Sequence, residues 1–445
     1  MRGGSDPEPS SGPRSFREGQ GAGTAGDLTT DLPACSVVVV SRNRPDALAL
    51  CLSALALQDH PRMEVVLVAD PAGLAVRPDL AIKRVAFDRP NISQARNHGI
   101  MVAAGEVVAF IDDDAIAEPT WARRLAQAFV DPGVIAATGW TRGPHGVRWQ
   151  VQAEAITPFG PVRLPEFCSG HDPSLFRPSE GKVLSTLGTN CAFRRDALLA
   201  IGGFDPAFAY HLDESDLNMR LARHFPDAAS ALVPLAQVIH GTAPSERRDA
   251  ARVPRDLRMI GRSEAIFARR HGGDPDRIAD RYRRRLLRQM LAGRIDPMRI
   301  RPLLASLTAG MDEVKGAATP SPASPLLAQE SGFAALPTHA RDSVWLSGWI
   351  WQRQHLQAQA REAVASGAVV TLLLQIPGVL AHRTRFVSGG WWEQTGGSQG
   401  RSWPGDPVFM AMTARQRSRR EWRELLPVRA TGPGGLPCPS VLTGA

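Results

Sequence analysis

The sequence predicts an α/β protein: a mixed, mostly parallel sheet flanked by helices, followed by a helical extension and a small further C-terminal region. Three observations predict it. Continuous apolar runs such as SVVVVS (36–41) read as strands buried on both faces, as in parallel sheets. Stretches of helical spacing alternate with them in β-α-β order. Three consecutive aspartates, Asp112, Asp113 and Asp114, close one apolar run, and open α/β sheets bind ligands beyond the carboxyl ends of their strands.

The elements are expected in this order. The first strand (36–41) leads into a helix over 46–58, and strands follow at 64–70 and 82–87. A helix over 91–105, opened by Asn91 or Ser93, precedes the strand VVAFID at 107–112. A helix is expected from Pro119, a favoured first-turn residue, then a strand at 133–139 and a loop-rich stretch to about Leu184. The segment 186–225 and a strand at 230–240 complete the alternation. In the Arg-rich part, Ile278, Tyr282, Leu286 and Met290 share one helical face. These patterns divide the chain into a tail (1–33), an α/β domain (34–245), a helical extension (246–315), a Pro/Ala/Ser linker (316–340) and a C-terminal region (341–445) whose role the residues do not state.

The 445 residues, 43% of them hydrophobic, are ample for a large core. No apolar run approaches the ~18 residues of a membrane span. The first 33 residues, rich in Gly, Pro, Ser and charge, read as disordered and lack the apolar core of a secretory signal. Five scattered cysteines (35, 51, 168, 191 and 438) include no C-x-x-C pair, so a reducing cytoplasm is expected. Net charge is +8, yet residues 247–301 alone carry 17 Arg against 7 Asp or Glu. That stretch holds only Phe267 and Tyr282 as aromatics and no recognition motif, which argues against nucleic acid. A solvated helix, an acidic acceptor or a peripheral contact with an anionic membrane accounts for it.

Two motifs fail. SRNRPD after the first strand has no glycine, which removes a nicotinamide or flavin phosphate turn. GGSQG (396–400) matches a hydrolase nucleophile elbow, but no strand is expected to end there and Pro404 opposes a following helix. Other clusters carry chemistry. A solvated turn is the plain reading of the Asp triplet, but the next helix starts too far on for all three to cap it. A hard divalent cation explains them better. In HLDESDLNMRL, Asp213 is placed to cap a helix, leaving a surplus carboxylate to act as general base. His240 ends an apolar strand, either as a structural residue or to complete a metal sphere. Trp391 and Trp392 are core or a sugar-stacking surface.

In order, CSVVVVSRNRPDAL, EVVLVADPAG, NISQARNHGIMVAAGEVVAFIDDDA, GTNCAFRRDALLAIGGFDPAF with LDESDLNMRLA, and VIHG resemble the motifs of family-2 glycosyltransferases over about residues 34–245. The resemblance implies a GT-A fold with a D-x-D motif and transfer of a sugar from a nucleotide-diphosphate sugar to an acceptor hydroxyl with inversion. It implies a divalent cofactor, Mn²⁺ or Mg²⁺, on Asp112, Asp114 and His240. Ser41, Arg44, Asp70, Arg96, Asp112 and Asp113 would line the donor site, Asp70 at the base and Arg96 near the diphosphate. Thr189 and Asn190 would lie on the acceptor side, and Glu214, or Asp213 by residue type, would be the base. The acceptor would be a glycan or lipid-linked, as in assembly of a cell-envelope polysaccharide. A non-catalytic module of the same fold is the rival reading.

Overall fold

A computed structural model describes residues 32–179, 181–241, 254–316 and 324–431. Most of the expected tail and part of the linker lie outside these. The tail's last two residues are buried, because Arg62 and His60 hydrogen-bond the carbonyls of Leu32 and Pro33.

In chain order the first unit runs β1 (Cys35–Ser41), α1 (Pro45–Leu55), β2 (Met63–Ala69), α2 (Pro71–Leu74), β3 (Lys83–Ala86), α3 (Ile92–Val102), β4 (Val107–Asp112), β5 (Ala115–Ala117), α4 (Trp121–Gln127) and β6 (Val134–Arg142). Short strands fill the loop-rich stretch: β7 (Trp149–Val151), β8 (Glu154–Thr157), β9 (Gly160–Arg163), β10 (Ser174–Phe176) and β11 (Val183–Leu184). Then come β12 (Cys191–Arg194), α5 (Arg195–Ala200), α6 (Asp213–His224) and β13 (Ala229–His240).

The main sheet has the order β10-β13-β6-β12-β4-β1-β2-β3, with β5 on β13 and β7 on β6. Along that path only β10 and β12 run against the rest, so the sheet is mixed and mostly parallel, as expected. The two-residue period of a strand explains how one apolar run serves both faces. Val37 and Val39 pack with Leu48, Leu52, Trp121 and Leu125 of α1 and α4. Val38 packs with Ala95, Ile100, Leu198 and Leu217 of α3, α5 and α6. Helix α3 lies close on the sheet because Gly99 has no side chain; a Cβ there would sit 2.4 Å from Val38 Cγ1. The parallel strands β1, β2 and β4 end at one edge in Ser41, Ala69 and Asp112.

The Arg-rich part forms α7 (Arg258–His271), α8 (Asp276–Leu291) and α9 (Ile300–Asp312). Ile278, Tyr282 and Leu286 are buried with Leu303 and Leu307, and Met290 is half-buried. The described part of the expected spacer is a strap along the first unit. Leu326 N–H donates to Leu199, Gln329 N–H to Met101 and Leu336 N–H to Met63. Leu336 enters one core and Leu326 packs against the other, and the buried Glu64 carboxylate takes Ala334 N–H at 2.8 Å. Two leucines and one acid fasten a segment whose Pro/Ala/Ser composition suggested only a spacer.

The C-terminal region contains β14 (Ser343–Trp349), α10 (Arg353–Ala365), β15 (Val369–Ile376), β16 (Arg383–Phe386), β17 (Trp392–Gly397) and α11 (Ala414–Arg429). Its sheet, β14-β15-β17-β16, is parallel except for β16. Trp391 and Trp392 are 4% and 0% exposed, so they are core and not a sugar-stacking surface. A strand does end within GGSQG, contrary to expectation. Its buried polar residues, Glu393 and Gln394, hid the apolar period. No helix follows directly, because the buried Arg417 guanidinium gathers the loop carbonyls of Ser398 and Gly400.

This region is fastened to the first unit. Ile116 and Ile239 share a core with Val369, Phe386 and Trp392. Arg429 donates to both oxygens of Glu118, at 2.8 and 3.0 Å, where neither side chain is more than 1% exposed. Among the described residues no helix is long and apolar enough to cross a membrane, and Cys35, Cys51, Cys168 and Cys191 are free thiols.

Candidate active site

The three aspartates differ because the chain turns after β4. Asp113 points into the protein, where it is 1% exposed, accepts from Ser41 Oγ at 2.7 Å and meets Arg44 at 3.2 Å. Burial pushes its carboxyl up to about 7, with Arg44 and Ser41 pulling the other way. Asp112 and Asp114 point to the strand ends. The triplet is tolerated because its middle member is withdrawn from its neighbours.

Strand β5 then sets the distance to His240. It pairs antiparallel with the end of β13, Ala115 opposite His240, and Gly241 N–H donates to the Asp114 carbonyl at 2.7 Å. His240 Nε2 consequently lies 3.3 Å from Asp114 Oδ1 and 3.9 Å from Asp112 Oδ2. Its Nδ1 faces Gln150 Oε1 at 3.1 Å. With the proton on Nδ1, the Nε2 lone pair faces the carboxylates, as in metal-ligating histidines. The donor atoms of Asp112, Asp114 and His240 all lie within 4.8 Å of one another. Oxygen-ligated Mg²⁺ has bonds of ~2.0–2.1 Å, which put adjacent octahedral ligands about 3 Å apart and opposite ones about 4 Å apart. The residues present fit such an ion.

Arg96, on α3, connects this cluster to the acidic helix. Its guanidinium is 3.3 Å from Asp112 Oδ1, ion-pairs Asp213, and donates to the Gly188 carbonyl at 3.3 Å. It lies over the rings of Phe110 and Phe204. Gly188 leaves room for it, since a Cβ there would sit 2.6 Å from the guanidinium and push it aside. Asp213 is not the cap that the sequence suggested. Leu212 occupies the N-cap with φ +62° and no side-chain bond, while the Asp213 carboxylate is taken by Arg96. Glu214, half-buried, accepts from Gly188 N–H at 3.3 Å. Burial and the Glu214 charge push Asp213 upward. In Glu214 burial acts upward too, but the bond from Asp213 and the nearby Arg96 outweigh it and hold the carboxyl below its ordinary range.

The other expected residues are placed as follows. Arg44 bridges Asp113 and Asp114, each at 3.2 Å. Asp70 is buried; it takes Gly73 N–H at 3.0 Å and Asn43 N–H at 3.1 Å, tying α2 to the turn after β1. Thr189 is 1% exposed and its hydroxyl finds no partner among the described residues. Asn190 is a core strut: it accepts from Trp121 Nε1 at 2.8 Å and donates to the Ala236 carbonyl at 2.9 Å. Asp216, the third acid of α6, is fully buried among Arg220, Arg270 and His271 at 2.7, 2.8 and 3.0 Å, which fastens α7 to α6. Sequence reasoning missed Gln150 and Gly188. Gly188 had a faint signal, a glycine just before the motif residues; Gln150 had none.

Comparison with known proteins agrees with the resemblance. Residues 36–202 match the family profile described as Glycosyl transferase family 2. A glucosyl-dolichyl phosphate glucuronosyltransferase of Haloferax volcanii is 34% identical over 121 residues, 26% of this chain and 34% of that protein. The succinoglycan biosynthesis protein ExoM of Rhizobium meliloti is 28% identical over 215 residues, 45% of this chain and 63% of that protein. The chain thus spans about a third of the first relative's length and under two thirds of the second's. Among solved structures, the mannosyltransferase PcManGT from Pyrobaculum calidifontis, in complex with GDP-Man and Mn²⁺, aligns with TM-score 0.34 and 17% identity over 65% of this chain and 77% of that one. GalNAc-T7 with UDP, GalNAc and Mn²⁺ aligns with TM-score 0.39 and 16% identity over 47% of this chain and 44% of that one.

Proposed function

The chain belongs to glycosyl transferase family 2 through residues 36–202, and from that premise we propose that it transfers a sugar from a nucleotide-diphosphate donor to an acceptor hydroxyl with inversion. The observation that carries this reading is the convergence of Asp112, Asp114 and His240 beside Glu214, which Arg96, Asp213 and Gly188 hold in place. A Mn²⁺ or Mg²⁺ ion held by Asp112, Asp114 and His240 would supply Lewis-acid stabilisation of the leaving diphosphate.

The chain's own groups do the rest. Ser41, Arg44 and Asp70 line the nucleotide side, with Asp113 holding Ser41 and Arg44 in place. Arg96 adds positive charge on the diphosphate side. Glu214 takes the proton of the acceptor hydroxyl as its oxygen bonds to the anomeric carbon and the bond to the diphosphate oxygen breaks. No covalent intermediate on the protein is needed. Thr189 and Asn190 lie on the acceptor side, Thr189 with a buried hydroxyl that finds no partner among the described residues and Asn190 as a support from the core. The acceptor is a glycan or a lipid-linked chain of the cell envelope. The enzyme works in the cytoplasm, at an anionic membrane surface reached through the Arg-rich extension. Residues 34–245 form the catalytic domain and 246–315 the extension; 316–340 connect them to the C-terminal region.

The test is a panel of nucleotide sugars with Mn²⁺, scored for donor hydrolysis and transfer, on the full chain and on Glu214→Gln and Asp213→Asn. Glu214→Gln should lose ~10²–10⁴-fold in transfer, the usual worth of a general base, with donor binding kept. If both variants turn over normally, the assignment of the base is wrong. If no nucleotide sugar is used, the non-catalytic module stands.

A further inference from the structure

We infer that the outer face of α8, the turn after it and the β8–β9 hairpin beside it dock the protein on an anionic lipid bilayer, with the Glu214 side of the cleft nearest that surface. The inference rests on the membrane contact proposed above and names the surface that makes it; only the position of the cleft depends on sugar transfer.

Helix α8 buries Ile278, Tyr282 and Leu286. Its opposite face carries Arg284, Leu287, Arg288 and Leu291, all exposed. Leu291 and Met298, at the two ends of the following turn, are each 82% exposed. Apolar side chains held out singly are ordinary, but here they sit inside a ring of cations. Arg283, Arg284, Arg285, Arg288, Arg294 and Arg301 are all exposed, and none meets a carboxylate among the described residues. A helix built only for water would place acids at i±4 from these arginines, and only Arg284 has one, the exposed Asp280. On the other side of Arg284, Arg288 stands one turn on, a like-charge spacing that weakens an isolated helix. Cations around protruding leucine and methionine are the composition of an interfacial helix: the cations meet anionic headgroups and the apolar tips enter the acyl boundary. A polyanion such as nucleic acid would use the cations but give Leu291 and Met298 no apolar surroundings.

The hairpin extends the face. Phe159 and Val162 are 61% and 45% exposed and Arg163 is exposed beside them, and Arg281 of α8 donates to the Phe159 carbonyl at 2.7 Å. A short chain of bonds leads from here to the cleft. Tyr282 donates to Glu264 at 2.9 Å, and Glu264 meets His211 at 3.4 Å, two residues before Asp213. A membrane-borne acceptor would thus approach the Glu214 end.

The experiment is co-sedimentation of the full chain with vesicles of phosphatidylcholine alone or with 30% (a chosen ~3:7 mix) phosphatidylglycerol, at low and high salt. Binding should need the anionic lipid and fall several-fold at high salt. Leu291→Ser/Met298→Ser should lower it several-fold at either salt, and Arg284→Gln/Arg288→Gln should lower it and flatten the salt response. Val408→Ser/Phe409→Ser, exposed apolar residues of the C-terminal region, should bind as the parent does. Thermal unfolding of each variant confirms the fold. Equal binding to both vesicles, no binding, both α8 variants matching the parent, or displacement by duplex DNA with no loss in the α8 apolar variant would overturn the inference.

Discussion

Arg96 and Asp213 form an ion pair buried between α3 and the first turn of α6, and the same guanidinium reaches Asp112 at 3.3 Å. One side chain therefore joins the D-x-D cluster to the acidic helix. A planar fork spreads its donors over two carboxylates and a carbonyl; an ammonium presents three donors from one atom and does not match those positions.

Arg96→Lys should accordingly keep the charge but lose the connection. Transfer is expected to drop on the order of 10²-fold, the scale set by misplacing a group next to the reaction. The melting temperature should fall as well, because Asp213 keeps its burial and loses its best partner. Steady-state kinetics and calorimetry on the same preparation check both; normal turnover would remove Arg96 from the account.

The C-terminal region reaches the site through Glu118, one residue after β5, whose carboxylate Arg429 grips. Arg429→Gln removes both hydrogen bonds from the buried Glu118 carboxylate and leaves it only Arg142, at 3.7 Å, so it should cost on the order of 3 kcal/mol, part of it regained in Arg429→Gln/Glu118→Gln. Denaturant unfolding of the singles and the double gives the coupling. A coupling near zero would mean the fork is incidental.

Acid should destabilise the protein over two pH ranges. Burial lowers His60 to about 4, so its contribution is complete above pH ~6.5 and is lost as pH falls toward 4, at most about 3 kcal/mol. For Asp216 burial acts upward, but His271, Arg220 and Arg270 outweigh it and hold the carboxyl at about 2. Its stabilisation, about 2 kcal/mol, is present above pH ~3.8 and fades as pH falls toward 2. Melting temperature against pH should show both losses; Asp216→Asn should destabilise at neutral pH and flatten the lower one. An unchanged lower segment in that variant would contradict the assignment.

Much of this was legible in the chain because it rests on period and position. Val37 to Val40 announced a strand covered on both faces, and the Asp triplet and His240 stood at strand ends that the sheet brings together. What was hidden depends on partners far away in sequence. Asp213 looked like a cap until Arg96, 117 residues earlier, claimed it, and the left-handed Leu212 is invisible to a pattern of side chains. The role of Asp216 was not legible because its partners Arg270 and His271 lie in another helix. β17 escaped notice because a strand whose buried residues are Glu393 and Gln394 shows no apolar alternation.

Thr189 and Asn190, neighbours in sequence, should behave differently. Asn190→Ala removes hydrogen bonds from the core and should cost a few kcal/mol with little change in acceptor KM. Thr189→Val removes a hydroxyl that has no partner among the described residues, so stability should hold while acceptor KM rises. Equal acceptor KM in Thr189→Val and the parent would take Thr189 off the acceptor side.

The central claim is that Asp112, Asp114 and His240 hold a divalent cation. Electron paramagnetic resonance of free Mn²⁺, titrated with the full chain in the presence of a nucleoside diphosphate, measures it directly. The parent should remove one equivalent of Mn²⁺ from solution, Asp114→Asn should remove almost none, and His240→Gln should bind more weakly. Undiminished Mn²⁺ uptake by Asp114→Asn, or none by the parent, would contradict the account.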